Sequence, residues 1–203
     1  MLCQKGIVLK NGHVDMTGDV TECVDHYLIS SAQKDIVSFV KDVSPFREEY
    51  KFLTHSVDFI EVEMLNQNPG AIATDEPLQF RVRLKCSHAD TKFQICVFFI
   101  NTAGIRVLFC MTDEIFVPKG KEIFDVCIKI PYHSLPRGRY SVRFETNLQH
   151  FDTGSIHFDF IADALSFYVK YVHADRKDEY LFWNANFGET LQIEERIPIR
   201  ICL

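Results

Sequence analysis

From about residue 55 onward, apolar and polar residues alternate along the chain in short runs. In the run 78–85, Leu78, Phe80, Val82 and Leu84 alternate with a glutamine and three cationic residues. Successive side chains of a β-strand point to opposite faces of a sheet, so this period indicates strands with one buried face. Further runs of this kind occupy 60–64, 93–101, 105–112, 123–130, 139–149, 156–160 and 167–171. Their number and even spacing predict an all-β fold, an antiparallel β-sandwich of the immunoglobulin-like or jelly-roll type.

Residues 1–30 carry a different pattern, that of a hairpin followed by a helix. Asn11 and Gly12 separate two short apolar-rich runs, and both residue types tolerate the positive φ angles of a type I′ turn. Asp19 can cap a helix, with Glu22 as the second member of a capping box. The helix would bury one apolar stripe, formed by Val20, Cys23, Val24, Tyr27 and Leu28.

The segment 31–54 is more polar, and we interpret it as a linker. Within it, Ile36, Val37, Phe39 and Val40 predict a short helix that Ser44-Pro45 would end. The predicted organisation is therefore a hairpin and helix at 1–30, a linker at 31–54, and a sandwich at 55–203.

The composition narrows the classes of function. Hydrophobic residues make up 47% of the chain and charged residues 25%, which is typical of a folded globular protein. The net charge of −6 argues against nucleic acid as the main partner, and the sequence has no block of Lys or Arg that could bind a phosphate backbone. No apolar run approaches the length of a membrane span, and no signal-peptide pattern occurs. The seven cysteines form no C-x-x-C pair, so we expect reduced thiols and no metal or other cofactor.

Two stretches of the sequence resemble parts of one protein family. The first stretch has the pattern Cys3-x-x-Gly6-Ile7-Val8-Leu9-x-Asn11-Gly12, followed by Gly18 and by Val24-x-x-Tyr27-Leu28. It resembles the last hairpin and helix of ABC-transporter ATPase domains, above all those that export bacterial O-antigen. Residues 57–172 resemble the C-terminal domain of the same exporter ATPases, the Wzt family. The matching pieces are the hairpin 93–112, the stretch Ile130-Pro131 to Leu135-Pro136-x-Gly138-x-Tyr140, and His157-Phe158-Asp159 leading to 164–169. The chain departs from the family at 109–111, where Phe, Cys and Met stand before Thr112, so different sugar contacts are expected there.

This resemblance implies a non-catalytic carbohydrate-binding domain. Members of the family recognise the finished non-reducing end of an O-antigen-type polysaccharide, a part of lipopolysaccharide, and pass it to a transmembrane exporter subunit. The implied location is cytoplasmic, at the inner face of the bacterial inner membrane. No G-x-x-x-x-G-K-[ST] phosphate loop and no ABC signature occur in the chain, so it cannot hydrolyse ATP by that mechanism. The longer parent protein would be an ABC ATPase.

Three sets of residues are candidates for sugar contacts. They are Arg143, Glu145, Asn147 and Gln149 on one face of the run 139–149, Trp183, and the hairpin residues Asn101, Arg106 and Thr112. The first set presents amide, carboxylate and guanidinium groups in a row, although a solvent-exposed strand face has the same pattern. The tryptophan could stack on a pyranose ring or close the sandwich as an apolar plug. The hairpin set rests on the resemblance, which implies a pocket near this hairpin.

The C-terminal end predicts an interface between two copies of the chain. Ile197, Ile199, Ile201 and Leu203 would share one side of a terminal strand. An apolar strand at a chain end invites pairing with a second chain. Wzt-type domains are dimers that exchange their last strand, so the resemblance implies a homodimer. The alternative is a strand that packs on its own sandwich.

Two other functions stay open on the sequence. The same sheet faces could dock onto a transporter or a glycan-assembly enzyme, which would make the chain a protein-interaction module. A small hydrolase is the second alternative, because His150 with Asp152, and His157 with Asp159, could act as acid–base pairs or hold part of a metal site. Further ligands at a convincing spacing are missing for both pairs, so a binding domain is the prediction.

Overall fold

The computed structural model of the chain describes residues 3–32, 36–88, 91–117, 122–133, 135–150, 154–170, 195–197 and 199–202. Most of its elements are strands. In chain order they are β1 (Lys5–Lys10), β2 (His13–Asp19), α1 (Val20–Ala32), β3 (Phe39–Val40), a 3-10 turn (Ser44–Phe46), β4 (Val57–Met64), β5 (Ile72–Ala73), β6 (Leu78–Cys86), β7 (Lys92–Asn101), β8 (Arg106–Thr112), β9 (Ile115–Phe116), β10 (Ile123–Ile130), β11 (Gly138–His150), β12 (Gly154–Lys170), β13 (Glu195–Ile197) and β14 (Ile199–Cys202).

Most of these strands form two sheets that pack face to face. The first sheet has the order β14-β10-β6-β4-β3, and the second has the order β13-β8-β7-β11-β12-β5, with β9 paired to the start of β7. The pairs of the first sheet are antiparallel. The second sheet ends in two parallel pairs, β13 with β8 and β12 with β5. The predicted all-β sandwich is confirmed, with parallel pairing added at both edges of one sheet.

The space between the sheets is filled by the apolar residues of the alternating runs. Phe80 of the first sheet touches Phe99 and Phe144 of the second, with ring centroids 6.1 and 5.6 Å apart. Burying a side chain of this size contributes about 1.5–3 kcal/mol, which makes the core the main source of stability. Because the apolar residues face inward, the polar residues between them lie on the outer faces of the two sheets.

The hairpin and helix predicted at the N-terminus are present. Asn11 and Gly12 have φ angles of 53° and 81°, as a type I′ turn requires. Gly6 lets α1 approach β1 closely, because a Cβ atom there would lie 2.8 Å from the Cβ of Cys23. The apolar stripe of α1 is only partly covered, since Cys23 is buried while Tyr27 is 58% exposed. Among the described residues, no helix has the length and hydropathy that crossing a membrane requires. The origin of this unit in an ABC ATPase domain stays a prediction.

The helix predicted at 36–40 is wrong. Phe39 and Val40 form β3 instead, which pairs with β4 at the edge of the first sheet. Val40 is buried there, and β-branched residues favour a strand because they pack well on a pleated surface. The proline that was expected to end the helix lies in the 3-10 turn.

The runs 156–160 and 167–171 are predicted as separate strands, but the structure joins them in β12, which is 17 residues long. Residue 171 lies outside the described residues. β12 pairs with β11 along its length, and two register shifts interrupt the ladder. Asp163, near the middle, has a φ of 54°. Such bulges let a long strand bend with its sheet, and they are what breaks the alternation in the sequence.

The C-terminal segment forms two short strands rather than one. β13 pairs with β8 in the second sheet, whereas β14 pairs with β10 in the first. Ile197 therefore belongs to a different sheet from Ile199 and Ile201, and Leu203 lies outside the described residues. Both strands pair with strands of the same chain. This is the arrangement expected if the C-terminal segment packs on its own sandwich and is not exchanged. Exchange of this segment between two copies stays a prediction.

Cys127 is disulfide-bonded, so the expectation of reduced thiols throughout is wrong for this residue. Cys23, Cys86 and Cys96 are buried free thiols. Buried thiols pack as small apolar side chains, which explains their place within the apolar runs.

His133 is a buried imidazole that ties the loop after β10 to β5. Its side chain is 3% exposed, its Nδ1 accepts the N–H of Leu135 at 3.1 Å, and its Nε2 lies 3.3 Å from the carbonyl oxygen of Ala73. Burial lowers the pKa of His133, because the charged ring would lose its hydration, and this outweighs the opposite effect of the carbonyl and of nearby Glu76 and Asp75.

This burial predicts a loss of stability in mild acid. The unfolded chain takes up a proton at the ordinary pKa of about 6.5, whereas the folded chain resists it. The stability from the neutral ring is complete above that value and is lost as the pH falls below it. Between about pH 7.5 and about pH 5.5, the free energy of unfolding in urea should fall more for the wild type than for His133→Gln. Equal falls in the two proteins would contradict this account.

Candidate functional site

The outer face of the second sheet carries a pocket with a volume of about 260 Å³. It lies where β7, β8, β11 and β12 run side by side, on the face opposite the core. Val142 and Phe144 of β11 point into the core without exposed surface, so Glu145, which follows Phe144 directly, points outward. The lining residues are Cys96, Phe98, Arg106, Phe109, Glu145, Asn147, Gln149, Ser155 and His157.

Glu145, Asn147, His157 and Cys96 form a cluster, which we call the floor cluster. The strand register brings them together, because Asn147 lies opposite His157 on β12 and Glu145 lies opposite Cys96 on β7. Nδ1 of His157 donates to Oε1 of Glu145, and Nδ2 of Asn147 donates to the same oxygen at 3.1 Å. Nδ2 also lies 3.3 Å from Sγ of Cys96. These bonds hold a carboxylate and an amide at fixed positions, as a site that recognises hydroxyl groups requires.

One fully buried polar atom of the floor cluster has no hydrogen-bond partner among the described residues. Asn147 is 3% exposed, and its Oδ1 is buried and unpaired. Turning the amide over would place Oδ1 against the carboxylate of Glu145, so two acceptors would face each other. A buried acceptor without a partner costs about 1–3 kcal/mol. A hydroxyl or N–H group of a ligand would recover part of that energy.

The cysteine of the floor cluster is not an activated nucleophile. Burial, together with the charge of Glu145, raises the pKa of the Cys96 thiol to about 12. A reactive cysteine needs a lowered pKa, because the thiolate is the species that attacks. His157 bonds to Glu145 and not to the thiol. The described contacts therefore do not activate Cys96 as a nucleophile.

Five aromatic rings form a row beside the floor cluster, which we call the aromatic row. Tyr50 and Phe52 stack with centroids 5.2 Å apart, and Tyr50 lies 6.0 Å from Phe160. Phe160 lies 6.4 Å from Phe98, and Phe98 lies 5.1 Å from Phe109. Tyr50 and Phe52 are 45% and 59% exposed, so they can stack on the apolar face of a ligand.

The two exposed rings of this row come from the segment 47–55, and both lie within the predicted linker at 31–54. Three of its backbone N–H groups donate to carbonyl oxygens of β12 at 2.9 to 3.0 Å. Phe52 meets His157 edge to face, with centroids 5.3 Å apart, which joins the row to the floor cluster. Sequence reasoning missed this contribution. The signal was a pair of alternate aromatics in a polar stretch, but no local pattern shows that the stretch covers β12.

Four of the residues predicted to bind sugar line the pocket. They are Arg106, Glu145, Asn147 and Gln149. Arg106 comes from β8 and the others from β11, and these strands lie on either side of β7. The guanidinium of Arg106 lies over the ring of Phe98, with its central carbon 5.4 Å from the ring centroid. The pocket thus combines three of the four residues of the row predicted from the alternation with one residue predicted from the family resemblance.

The remaining predicted sugar residues lie elsewhere. Arg143 pairs with Asp163, with Nη2 3.0 Å from Oδ2, and does not line the pocket. Asn101 holds the β7–β8 loop, because its Oδ1 accepts two backbone N–H groups of that loop. Thr112 is buried, and its hydroxyl accepts a backbone N–H of β7 at 2.8 Å. Trp183 lies outside the described residues.

The proposed acid–base pair of His157 and Asp159 is not assembled. A register shift between Thr146 and Asn147 places His157 on the outer face, while Asp159 is completely buried. His157 bonds to Glu145 instead. The second proposed pair, at 150 and 152, lies outside the part of the chain whose side chains are described.

One group of possible metal ligands occurs among the described residues. Ligand atoms of His55, Asp58 and Asp159 lie within 4.8 Å of one another. Both oxygens of Asp159 are already bonded, however, to the guanidinium of Arg47 and to two backbone N–H groups. A cation would have to displace Arg47, so the group is better explained as part of the fold.

No protein-family model and no curated protein matches the sequence of this chain. Among solved structures, the chain is similar to the crystal structure of the C-terminal domain of Wzt, with a TM-score of 0.52 and 15% sequence identity. The similar region covers 64% of this chain and 86% of that chain. At this identity the likeness shows the fold, a β-sandwich like that of the Wzt C-terminal domain. Membership of the Wzt family stays a prediction.

Proposed function

We propose that the chain is a non-catalytic carbohydrate-binding domain that holds an O-antigen-type polysaccharide for export by an ABC transporter. The observation that carries the proposal is the pocket, where an amide, a carboxylate and a guanidinium from two strands converge beside exposed aromatic rings. A pyranose presents apolar C–H faces and a rim of hydroxyls, so it needs both kinds of contact. The fold shared with the Wzt domain supports the proposal by analogy.

In this proposal the pocket takes one sugar and the aromatic row takes its neighbour. The pocket volume of about 260 Å³ is slightly below the range that is typical of ligand sites, about 300–1,000 Å³. One sugar ring at the non-reducing end would bond to Asn147, Glu145 and Gln149. The next ring of the polymer would stack on Tyr50 and Phe52, which are the exposed members of the row.

The wider context belongs to the same proposal. The domain would work in the cytoplasm, beside a transmembrane exporter subunit at the inner face of the bacterial inner membrane. A homodimer formed by exchange of β14 would present two pockets, and tethering them raises the effective concentration of binding sites. The antiparallel pairing of β14 with β10 is compatible with exchange, because a second copy could supply the same strand.

The test measures the binding of polysaccharide purified from the source organism, both by calorimetry and by the shifts of backbone amide signals in NMR spectra. Saturable shifts should be confined to β7, β8, β11, β12 and the segment 47–55. Gln149→Ala should weaken binding roughly 2- to 13-fold, since a neutral hydrogen bond contributes about 0.5–1.5 kcal/mol. The matched control is Gln79→Ala on the outer face of the first sheet, which should bind as the wild type does.

Other outcomes would favour the competing functions. If millimolar polysaccharide causes no saturable shift, the protein-interaction module becomes the better explanation. Shifts confined to the first sheet would mean that the pocket is not the site. A polymer that is shortened or modified after incubation, as measured by mass spectrometry, would indicate an enzyme.

A further inference from the structure

The floor of the pocket offers hydrogen-bond acceptors. Oδ1 of Asn147 is buried and unpaired, and no described side chain bonds to Oε2 of Glu145. Nδ1 of His157 donates to Glu145, so its Nε2 accepts whenever the ring is neutral. A ligand that satisfies these atoms must bring hydroxyl or N–H donors.

The floor also disfavours a second negative charge. The side chain of Glu145 is 13% exposed, and its charge is one cause of the raised pKa of Cys96, after burial. A phosphate or carboxylate at this depth would meet the same repulsion in a poorly hydrated place. Arg106 is the guanidinium of the lining, but it is exposed to solvent and lies over the ring of Phe98.

We infer that the pocket selects sugars by charge: it takes a neutral ring that turns hydroxyl or amide N–H groups towards Asn147 and Glu145, and it rejects a ring whose phosphate or carboxylate would enter. This inference rests on the proposed function and names the chemical class of its ligand. The exposed guanidinium of Arg106 can donate to an acceptor oxygen of the ligand. Acidic groups further along a polymer are therefore tolerated.

The test compares neutral and acidic sugars that otherwise match. The probes are the methyl glycosides of glucose, galactose, mannose and N-acetylglucosamine, with the uronic acids and 6-phosphates of the same sugars, titrated against amide shifts of β11. Neutral probes should bind about tenfold more tightly or better than their acidic counterparts at low salt. The difference should shrink as salt is added, because salt screens the repulsion.

A charge-removing variant isolates the cause of this selectivity. Glu145→Gln keeps the size of the side chain and an acceptor oxygen for Asn147, so the preference for neutral probes should drop to about threefold or less. The matched control is Glu63→Gln on the outer face of the first sheet, which should leave the preference unchanged.

Each result has a distinct consequence. Acidic probes that bind as well as neutral ones overturn the inference and leave the proposed function in place. If neither the glycosides nor the purified polysaccharide binds, both are overturned. If the polysaccharide alone binds, the composition of its non-reducing end decides, because a phosphate or uronate there overturns the inference and a neutral sugar supports it.

Discussion

The Arg47→Met variant is expected to lose about 3–5 kcal/mol of unfolding free energy, because it leaves a buried charge without its partner. Asp159 has no exposed surface, and the guanidinium of Arg47 donates to both of its oxygens at 2.9 and 3.0 Å. Nη2 also donates to the carbonyl oxygen of Phe59 at 2.7 Å. Burial alone would lower the pKa of Arg47, but the hydrogen bonds and charge of Asp159 outweigh it and raise that pKa. Urea denaturation followed by circular dichroism measures the loss.

Arg143→Met is the matched control for this prediction. Arg143 also donates to both oxygens of an aspartate, but that aspartate, Asp163, has a side chain that is 46% exposed. Water can replace the guanidinium there, so the expected loss is below about 1 kcal/mol. Equal losses in the two variants would show that burial of Asp159 is not what makes the Arg47 pair important.

The parts of the fold that follow from local alternation could be predicted from the sequence. β6 is an example, because each apolar residue in it meets the core and each polar residue faces outward. β3 could not be predicted in the same way. Four apolar residues in the segment 36–40 fit a helix or a strand equally well, and the choice is made by pairing with β4, which is distant in sequence. The helix prediction failed because a non-local contact decided the conformation.

The candidate site likewise contains residues that local alternation predicts and residues whose positions depend on non-local contacts. Glu145, Asn147 and Gln149 could be predicted together because alternate residues of one strand share a face. The same rule failed for His157 and Asp159, since a register shift puts one on the outer face and the other in the core. The exposed rings at 50 and 52 were missed because their place beside the pocket depends on hydrogen bonds between a loop and β12.

The double variant Tyr50→Ala/Phe52→Ala should weaken polysaccharide binding by about 5- to 150-fold. Each ring offers one stacking surface, and an aromatic contact contributes about 0.5–1.5 kcal/mol beyond its buried area, so two contribute about 1–3 kcal/mol. The fold should be retained, because the segment 47–55 is held by backbone hydrogen bonds and by Arg47, not by the two rings. Calorimetry with the purified polysaccharide gives the affinity, and urea denaturation checks the stability.

The matched control is Tyr132→Ala/Phe39→Ala, which removes the same two residue types where they are exposed away from the pocket, by 76% and 47%. It should bind as the wild type does, because neither residue lines the pocket or belongs to the aromatic row. Single methyl glycosides provide a second comparison. If the row binds the neighbouring sugar, the Tyr50→Ala/Phe52→Ala variant should lose affinity for the polymer but little for a monosaccharide, which fills the pocket alone. An equal loss for both ligands would place the rings in contact with the terminal sugar instead and would contradict the two-sugar arrangement.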